Sequence, residues 1–314
     1  MHHVLVGAGA VGVVYADALL RAGHTVTFLV REKYAKDVAA GTRLYVGKEA
    51  RDVVPSAVVT TTDALAARAK NAPVDVLWWC VPANALDDAA WVNAVLDAVG
   101  GARVIEFAGG PGANDLVSRR VDDARRIEGI ISYLAWQTPL PGGLDGAREA
   151  GIAFWGPPAP SSIFSGKDAR LVVDALKKGG HKAALDPNVP TKRALGAALL
   201  TSFVIALEAA DWKLKDAPRV LGTGGREALA AVSAETGRGA FPLTLVARPF
   251  VASLVIALAK STMPLPLETY LAFHFQKVRT QMHQNVKGLL AVAEKHAIPS
   301  PTLTALAKKV GAVA

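Results

Sequence analysis

The sequence contains little of what builds disulfide frameworks or membrane spans. Of its 314 residues only one, Cys80, is a cysteine, so no disulfide can form within the chain. The stretch nearest to a membrane span, residues 194–210, is short, rich in alanine and carries Glu208, which favours a helix buried in protein. No segment ahead of the first β-prone run is typical of a signal peptide. We therefore expect a cytoplasmic protein without a transmembrane segment.

The sequence also lacks any concentration of charge of one sign. Its 35 basic and 27 acidic residues give a formal net charge of +8, and the basic residues are scattered. This excess suits a polyanionic ligand in general. There is neither a basic stripe nor a known nucleic-acid-binding module, so we expect no nucleic-acid partner. Hydrophobic residues make up 51% of the chain, which excludes intrinsic disorder, and the length suits two domains.

The first part of the chain alternates β-prone runs with helical stretches. A strand at residues 2–6, a helix at 13–20 and a strand at 25–30 make one βαβ unit with a parallel pair. Further strands are predicted at residues 43–46, 53–60, 74–80, 104–107, 127–133 and 151–155, and further helices at residues 85–99, 114–120 and 167–179. This alternation predicts a doubly wound Rossmann-type α/β domain over residues 1–186.

The pattern changes near Asp186. Pro187 and Pro190 interrupt the chain there, and residues 188–314 contain no convincing strand, only long apolar-periodic stretches broken by proline and glycine. We predict an all-helical domain over residues 187–314, with a substrate site in a cleft between the two domains. Helical domains with apolar faces often pair, which is compatible with a homodimer.

The turn after the first predicted strand fits the pattern G-x-G-x-x-G. Its residues are Gly7, Ala8, Gly9, Ala10, Val11 and Gly12. The first glycine permits the tight turn, the second lets the backbone approach a pyrophosphate, and the third allows close helix-to-strand packing. Because the motif lies between a strand and a helix, it predicts a dinucleotide site at the helix N-terminus. A glycine-rich structural turn explains these intervals poorly, and Gly9→Val is expected to abolish dinucleotide binding.

The residue after the second predicted strand bears on which dinucleotide is bound. An NAD-specific site has Asp or Glu there for the ribose hydroxyls, whereas arginine suits a 2′-phosphate. This chain has Arg31, followed by Glu32 and Lys33. Although Glu32 makes the local charge mixed, the arginine favours NADP(H) over NAD(H). The alternative is that Arg31 and Lys33 belong to a solvated loop.

The order of these features resembles the ketopantoate reductase (2-dehydropantoate 2-reductase) family over nearly the whole chain. The likeness rests on the glycine motif, Arg31, Pro141-Gly142 before residues 151–156, the helical second half, and Lys295, His296, Ala297 and Ile298 followed by Pro299. The resemblance implies that NADPH binds in the first domain and that a 2-oxo acid-like carbonyl is reduced in the cleft. It also implies cofactor contacts from residues that follow two later strands, namely Val81, Pro82, Ala108 and Gly109.

At the positions that match the family's catalytic residues, this chain has residues of other types. Ala108 stands where the family has asparagine, residues 81–83 where it has a lysine, and Gly196 or Ala197 where it has its general-acid lysine. The family's Ser, Asp and Glu match Thr269, Phe273 and Gln281. Hydride delivery leaves an alkoxide that a positioned acid must protonate. The candidate catalytic residues are therefore Lys192, which lies about one turn before the lost lysine, Thr269 and Gln281. The alternative for Lys192 is a surface lysine at the start of a helix.

Polar residues near the candidate Gln281 recur at helical spacing. His274, Lys277 and Gln281 could project from one helix face into the cleft, although a solvated polar face explains the spacing equally well. No Cys/His cluster has metal-ligand spacing, so we expect no catalytic metal. The substitutions favour an NADPH-dependent reductase of a carbonyl substrate other than ketopantoate. The alternatives are a ketopantoate reductase with relocated catalytic groups and a catalytically silent NADP(H)-binding sensor or scaffold.

Overall fold

The computed structural model describes residues 1–107, 116–146, 149–215 and 217–313. They form two compact units, of which the first ends at Val189 and the second continues from Pro190. The boundary predicted near Asp186 lies a few residues before this division.

An eight-stranded sheet forms the centre of the first unit. In spatial order its strands are β12 (Ala183–Leu185), β11 (Ser162–Ser165), β8 (Arg126–Ile131), β7 (Arg103–Glu106), β6 (Val76–Trp79), β1 (His2–Val6), β2 (Thr25–Leu29) and β5 (Ala57–Val59). The six strands from β8 to β5 are mutually parallel, and β11 joins β8 in the antiparallel direction. From β1 the chain adds β2 and β5 on one side of the sheet, and it then returns to add β6, β7 and β8 on the other side, so the direction of winding reverses between β1 and β6. The predicted doubly wound Rossmann-type architecture is confirmed.

Helices cover both faces of this sheet. They are α1 (Ala10–Arg21), α2 (Glu32–Ala40), α3 (Thr62–Asn71), α4 (Ala89–Val99), α5 (Leu116–Arg120) and α6 (Ala169–Lys178). Successive strand residues point to opposite faces, so Trp78 packs in one buried cluster with α1 and α6, and Trp79 in another with α3 and α4. Both rings are almost fully buried, as expected from a strand with a continuous apolar run.

A second, four-stranded sheet lies on the other side of α1. Its strands, in spatial order, are β4 (Glu49–Val53), β3 (Thr42–Val46), β10 (Gly151–Trp155) and β9 (Leu134–Thr138). The strand predicted at residues 53–60 is therefore wrong. Its first residue ends β4 in this sheet and its residues 57–59 form β5 in the other, because Pro55 interrupts the run.

The second unit is helical throughout its described residues, as predicted. Its helices are α7 (Val189–Ala209), α8 (Ala217–Thr236), α9 (Leu243–Val246), α10 (Pro249–Thr262), α11 (Leu267–Lys277), α12 (Arg279–Lys295) and α13 (Pro301–Lys309). Apolar side chains such as Ile205, Leu229 and Val286 form its core. In the described parts of the chain no single helix has the length and apolar composition of a membrane span, although α10 and α11 meet that criterion as one pair bent by 100°.

The prediction of one polar helix face from His274 to Gln281 is wrong. Helix α11 ends at Lys277, and Val278 has φ −111° and ψ 19° before α12 begins. Val278 packs against the core of the second unit, which fixes the chain at this break. His274 and Lys277 therefore belong to one helix and Gln281 to the next.

Candidate functional site

The chain makes a tight turn at Gly7, immediately after β1. Gly7 has φ +97°, a conformation that L-residues with a Cβ rarely adopt. Its N–H donates to the carbonyl oxygen of Leu29 over 2.9 Å, and a Cβ on it would lie 3.0 Å from Val81 Cγ1. Gly7 is therefore enclosed by the end of β2 and by the chain segment that follows β6.

Gly12 sets how closely α1 approaches this turn. A Cβ at Gly12 would lie 2.2 Å from the carbonyl oxygen of Gly7, closer than any van der Waals contact allows. Only glycine lets the first turn of α1 lie directly on the chain leaving β1. This close packing is the role that the sequence pattern predicts for the third glycine.

Gly9 differs from the other two glycines of the motif because its surroundings are open. It is the N-cap of α1, it is exposed, and a Cβ on it would meet nothing within 4 Å. The N–H groups of Ala10, Val11 and Gly12 have no acceptor within the helix, and Gly9 has no side chain to offer one. The first turn of α1 contains no acidic residue. The geometry and electrostatics of this helix N-terminus therefore suit a phosphate group.

Most of the predicted cofactor residues meet at one edge of the large sheet. Val6 pairs with Leu29 in β2 and with Trp79 in β6, so these parallel strands end side by side. Residues 7–12, Arg31, and Val81 with Pro82 therefore follow neighbouring strand ends at the point where the winding reverses, which is where doubly wound sheets bind their ligands. The predicted contacts Ala108 and Gly109 lie outside the described residues.

Two cations flank an exposed tyrosine at the start of α2. Arg31 is the N-cap of this helix, and its Nη2 donates to the Tyr34 hydroxyl over 3.3 Å. The Arg31 guanidinium carbon lies 5.1 Å from the centre of the Tyr34 ring, and Lys33 Nζ lies 4.9 Å from it. This Arg31–Tyr34–Lys33 cluster could bind a second anionic group beside the glycine turn.

Aromatic rings hold α1 against the large sheet. Tyr15 is fully buried. Its ring is stacked on Phe107 at 5.3 Å, centre to centre, and lies 4.9 Å from the Trp78 ring at a tilt of 37°. The Tyr15 hydroxyl lies 2.8 Å from Ser162 Oγ. Burial raises the pKa of Tyr15 and of the Cys80 thiol, so both groups stay protonated near neutral pH. Sequence reasoning missed Tyr15, although it lies in the apolar stripe of the predicted helix.

The candidate catalytic residues lie on three helices of the second unit. Lys192 is exposed in α7, Thr269 is exposed in α11, and Gln281 is half-buried in α12. In the described parts of the chain no three His, Cys, Asp or Glu side chains group as metal ligands.

Sequence reasoning also missed an ionic cluster in the second unit. The Glu208 side chain is only 8% exposed, and its Oε1 lies 2.6 Å from Arg279 Nε. Its Oε2 lies 3.0 Å from His283 Nε2. His283 lies in α12 and is half-buried. Its contact with Glu208 indicates a structural role in joining α7 to α12.

Comparison with known proteins finds one family model that matches within the first unit. Residues 3–140 match the family model described as ketopantoate reductase PanE/ApbA. The match covers less than half of the chain. Oxidoreductases of the ketopantoate reductase family act on carbonyl compounds with NAD(P)H. No curated protein sequence matches the chain significantly.

Solved structures of ketopantoate reductases and of a related dehydrogenase share the fold of the whole chain. The 2-dehydropantoate 2-reductase from Methylococcus capsulatus is 17% identical, with a TM-score of 0.72 over 98% of this chain and 95% of that one. The probable 2-dehydropantoate 2-reductase from Bacillus subtilis is 16% identical, with a TM-score of 0.68 over 99% of both chains. A D-mandelate dehydrogenase bound to NADH and anilino(oxo)acetate is 15% identical, with a TM-score of 0.74 over 99% of this chain and 98% of that one.

Proposed function

We propose that this protein is an NADP(H)-dependent oxidoreductase that reduces the carbonyl group of a 2-oxo acid-like substrate other than ketopantoate. The observation that carries the proposal is the open helix N-terminus at Gly9. It combines first-turn N–H groups that lack helical acceptors with space for a phosphate, at the point where the sheet reverses its winding. A bound NADPH would supply the hydride, and the protein would supply binding, orientation and a proton.

The preference for NADP(H) over NAD(H) rests on the Arg31–Tyr34–Lys33 cluster. A 2′-phosphate adds a dianion to the adenosine ribose, and a guanidinium binds it through charge-assisted hydrogen bonds. Arg31 follows β2, whose end lies beside the glycine turn, so it places a cation at the same sheet edge as the proposed phosphate site. Lys33 adds a second positive charge on the same exposed surface.

The expected substrate is less acidic and more apolar than ketopantoate. By resemblance, residues 81–83 stand where the family has a lysine and Gln281 where it has a glutamate, which removes charges that would bind a polar acid. The structural likeness to a D-mandelate dehydrogenase that binds anilino(oxo)acetate supports an aromatic 2-oxo acid. We assign the proton donor to Lys192, and hydrogen bonding of the substrate to Thr269 and Gln281.

The cofactor proposal is tested by titrating NADPH and NADH while following fluorescence. We expect tighter binding of NADPH than of NADH by the wild type. Arg31→Gln should raise the Kd for NADPH by about tenfold or more, because a hydrogen bond to a charged group contributes ~1.5–3 kcal/mol. Its Kd for NADH should not change. Lys36→Gln removes an exposed cation of the same helix and should alter neither. Equal effects of Arg31→Gln on both cofactors would contradict the assignment.

A catalytically silent NADP(H)-binding protein is the second candidate. The observation that favours it is the exposure of both Lys192 and Thr269, since exposed groups are rarely tuned as catalytic acids. Lys192→Met separates the two candidates. In an active enzyme it should lower kcat and leave the Kd for NADPH unchanged, whereas a silent protein binds NADPH and turns over no member of a 2-oxo acid panel.

We also propose that the protein is a homodimer, and light scattering should give the mass of two chains.

A further inference from the structure

A second cavity in the first unit lies apart from the glycine turn. Its volume is about 430 Å³, and it is bounded by the C-terminal half of α1, by β3, β4 and the end of β10, and by residues 179–182 after α6. The glycine turn adjoins the opposite end of α1, a helix of 12 residues that spans roughly 18 Å. No residue of the glycine turn lines this cavity.

The charges around this cavity leave positive charge in excess. Arg51 holds Asp17 through two hydrogen bonds of 2.7 Å each, and the Asp17 side chain is only 9% exposed. Arg21 lies 3.8 Å from the same carboxylate but is half-exposed, and Lys182 is exposed. Arg51 already neutralises Asp17, and Lys182 Nζ donates to a neutral acceptor, the carbonyl oxygen of Pro158, over 3.4 Å. Arg21 and Lys182 therefore retain positive charge that attracts an anion from solution. The remaining lining carboxylate, Glu49, extends into solvent with an exposed fraction of 84%.

Apolar side chains also line the cavity. They come from the second sheet, including Leu44, Val46, Phe154 and Trp155, and from Val14 of α1. A ligand that contacts both these side chains and the two cations needs an apolar body of aromatic or branched shape and one negative charge. A multiply charged phosphate compound would leave the apolar lining unused and would need more cations than Arg21 and Lys182 supply.

A buried hydrogen-bonded chain starts from a residue that lines the cavity. His181 lines the cavity, and its Nε2 lies 2.8 Å from Ser162 Oγ, which in turn lies 2.8 Å from the Tyr15 hydroxyl. Burial lowers the pKa of His181 to about 4, so its ring is neutral at physiological pH. His181 therefore supplies hydrogen bonding without adding charge.

We propose that this cavity binds a monocarboxylic acid with an aromatic or branched apolar body, with its carboxylate at Arg21 and Lys182. The site is separate from the nucleotide site and does not depend on the proposed catalytic activity. Its occupant would contact α1, the helix whose other end forms the phosphate site.

The probe for this site is phenylacetate, titrated calorimetrically into the full-length protein at constant ionic strength. Benzyl alcohol supplies the ring without the charge, and inorganic phosphate supplies charge without the ring. We expect saturable one-site binding of phenylacetate and at least tenfold weaker binding of each of the other two probes. Absence of saturable phenylacetate binding, or equal binding of all three, would overturn the proposal.

Two double variants locate the binding. Arg21→Gln/Lys182→Gln removes the two available cations and should weaken phenylacetate binding by at least tenfold. Lys36→Gln/Lys178→Gln removes two exposed cations outside the cavity and should leave it unchanged. All four side chains are exposed or half-exposed, and thermal unfolding confirms that each variant is folded. Equal weakening in both variants would indicate non-specific charge effects, and an unchanged affinity in the first would place phenylacetate elsewhere. NADPH titration should be the same for all proteins.

Discussion

Replacing Gly9 with serine should make the protein more stable and at the same time weaken its binding of NADPH. Gly9 has φ −75° and ψ −173°, an extended conformation open to any residue, and a Cβ there would meet nothing within 4 Å. Serine is therefore accommodated at the N-cap of α1 without strain.

The gain in stability has two sources. Serine is a better N-cap than glycine by a few tenths of a kcal/mol, because its hydroxyl oxygen accepts from a first-turn N–H. Loss of the conformational freedom of glycine in the unfolded chain contributes about 0.4–1 kcal/mol more. The sum corresponds to a rise in the unfolding midpoint of roughly 1–6 °C for a unit of this size.

The loss of affinity follows from the same hydrogen bond. A serine that accepts from an N–H of α1 occupies a donor that the phosphate requires. A hydrogen bond to a charged group contributes about 1.5–3 kcal/mol, so losing one raises the Kd for NADPH roughly 10- to 150-fold. The larger, branched side chain of Gly9→Val should abolish binding.

The assay pairs fluorescence titration with thermal unfolding of the same samples. Gly101→Ser serves as the matched control, because Gly101 is exposed, has open space at its Cβ position and lies before β7, away from the glycine turn. It should raise stability through the unfolded chain and leave the Kd for NADPH unchanged. If Gly9→Ser is folded and binds NADPH within twofold of the wild type, the first turn of α1 does not hold the phosphate.

Three further predictions concern stability, each measured by urea unfolding. Gly12→Ala should cost about 1–3 kcal/mol or more, because its Cβ would lie 2.2 Å from the Gly7 carbonyl oxygen, and an unchanged midpoint would contradict this packing. Arg51→Met should cost about 3 kcal/mol by leaving the buried Asp17 carboxylate without its bidentate partner, whereas a loss below ~1 kcal/mol would show that Asp17 is solvated. Burial lowers the pKa of His181 to about 4 from 6.5, so the unfolded chain takes up the proton first and stability falls as pH drops from 6.5 towards 4. His181→Gln should make that fall shallower, and an identical pH profile would refute the assignment.

The sequence predicts the parts of the fold that local patterns encode. The glycine spacing at residues 7–12 and the apolar runs of β1, β2 and β6 each follow from neighbours along the chain, and the structure places them at one sheet edge. Helix α2 was not predicted because four of its nine residues are charged and only Val38 of it is buried. Strand β12 was not predicted because its three residues, Ala183–Leu185, are too short to show alternation.

The remaining features depend on contacts between distant parts of the chain. The hydrogen bonds of Arg51 to Asp17, and of His283 to Glu208, join residues far apart in sequence, so no spacing rule reveals them. The break at Val278 likewise interrupts a regular helical periodicity because Val278 packs into the core of the second unit. For the same reason the second cavity has no signature in the sequence.

The central claim is most directly tested by following the loss of reduced-nicotinamide absorbance when the purified protein is mixed with NADPH and a series of 2-oxo acids. We predict that NADPH is oxidised faster with an aromatic acid such as phenylglyoxylate than with ketopantoate, and faster than NADH is with the same acid. Failure of every 2-oxo acid to oxidise either cofactor would contradict the assignment as a reductase, and a clear preference for ketopantoate would contradict the proposed substrate class.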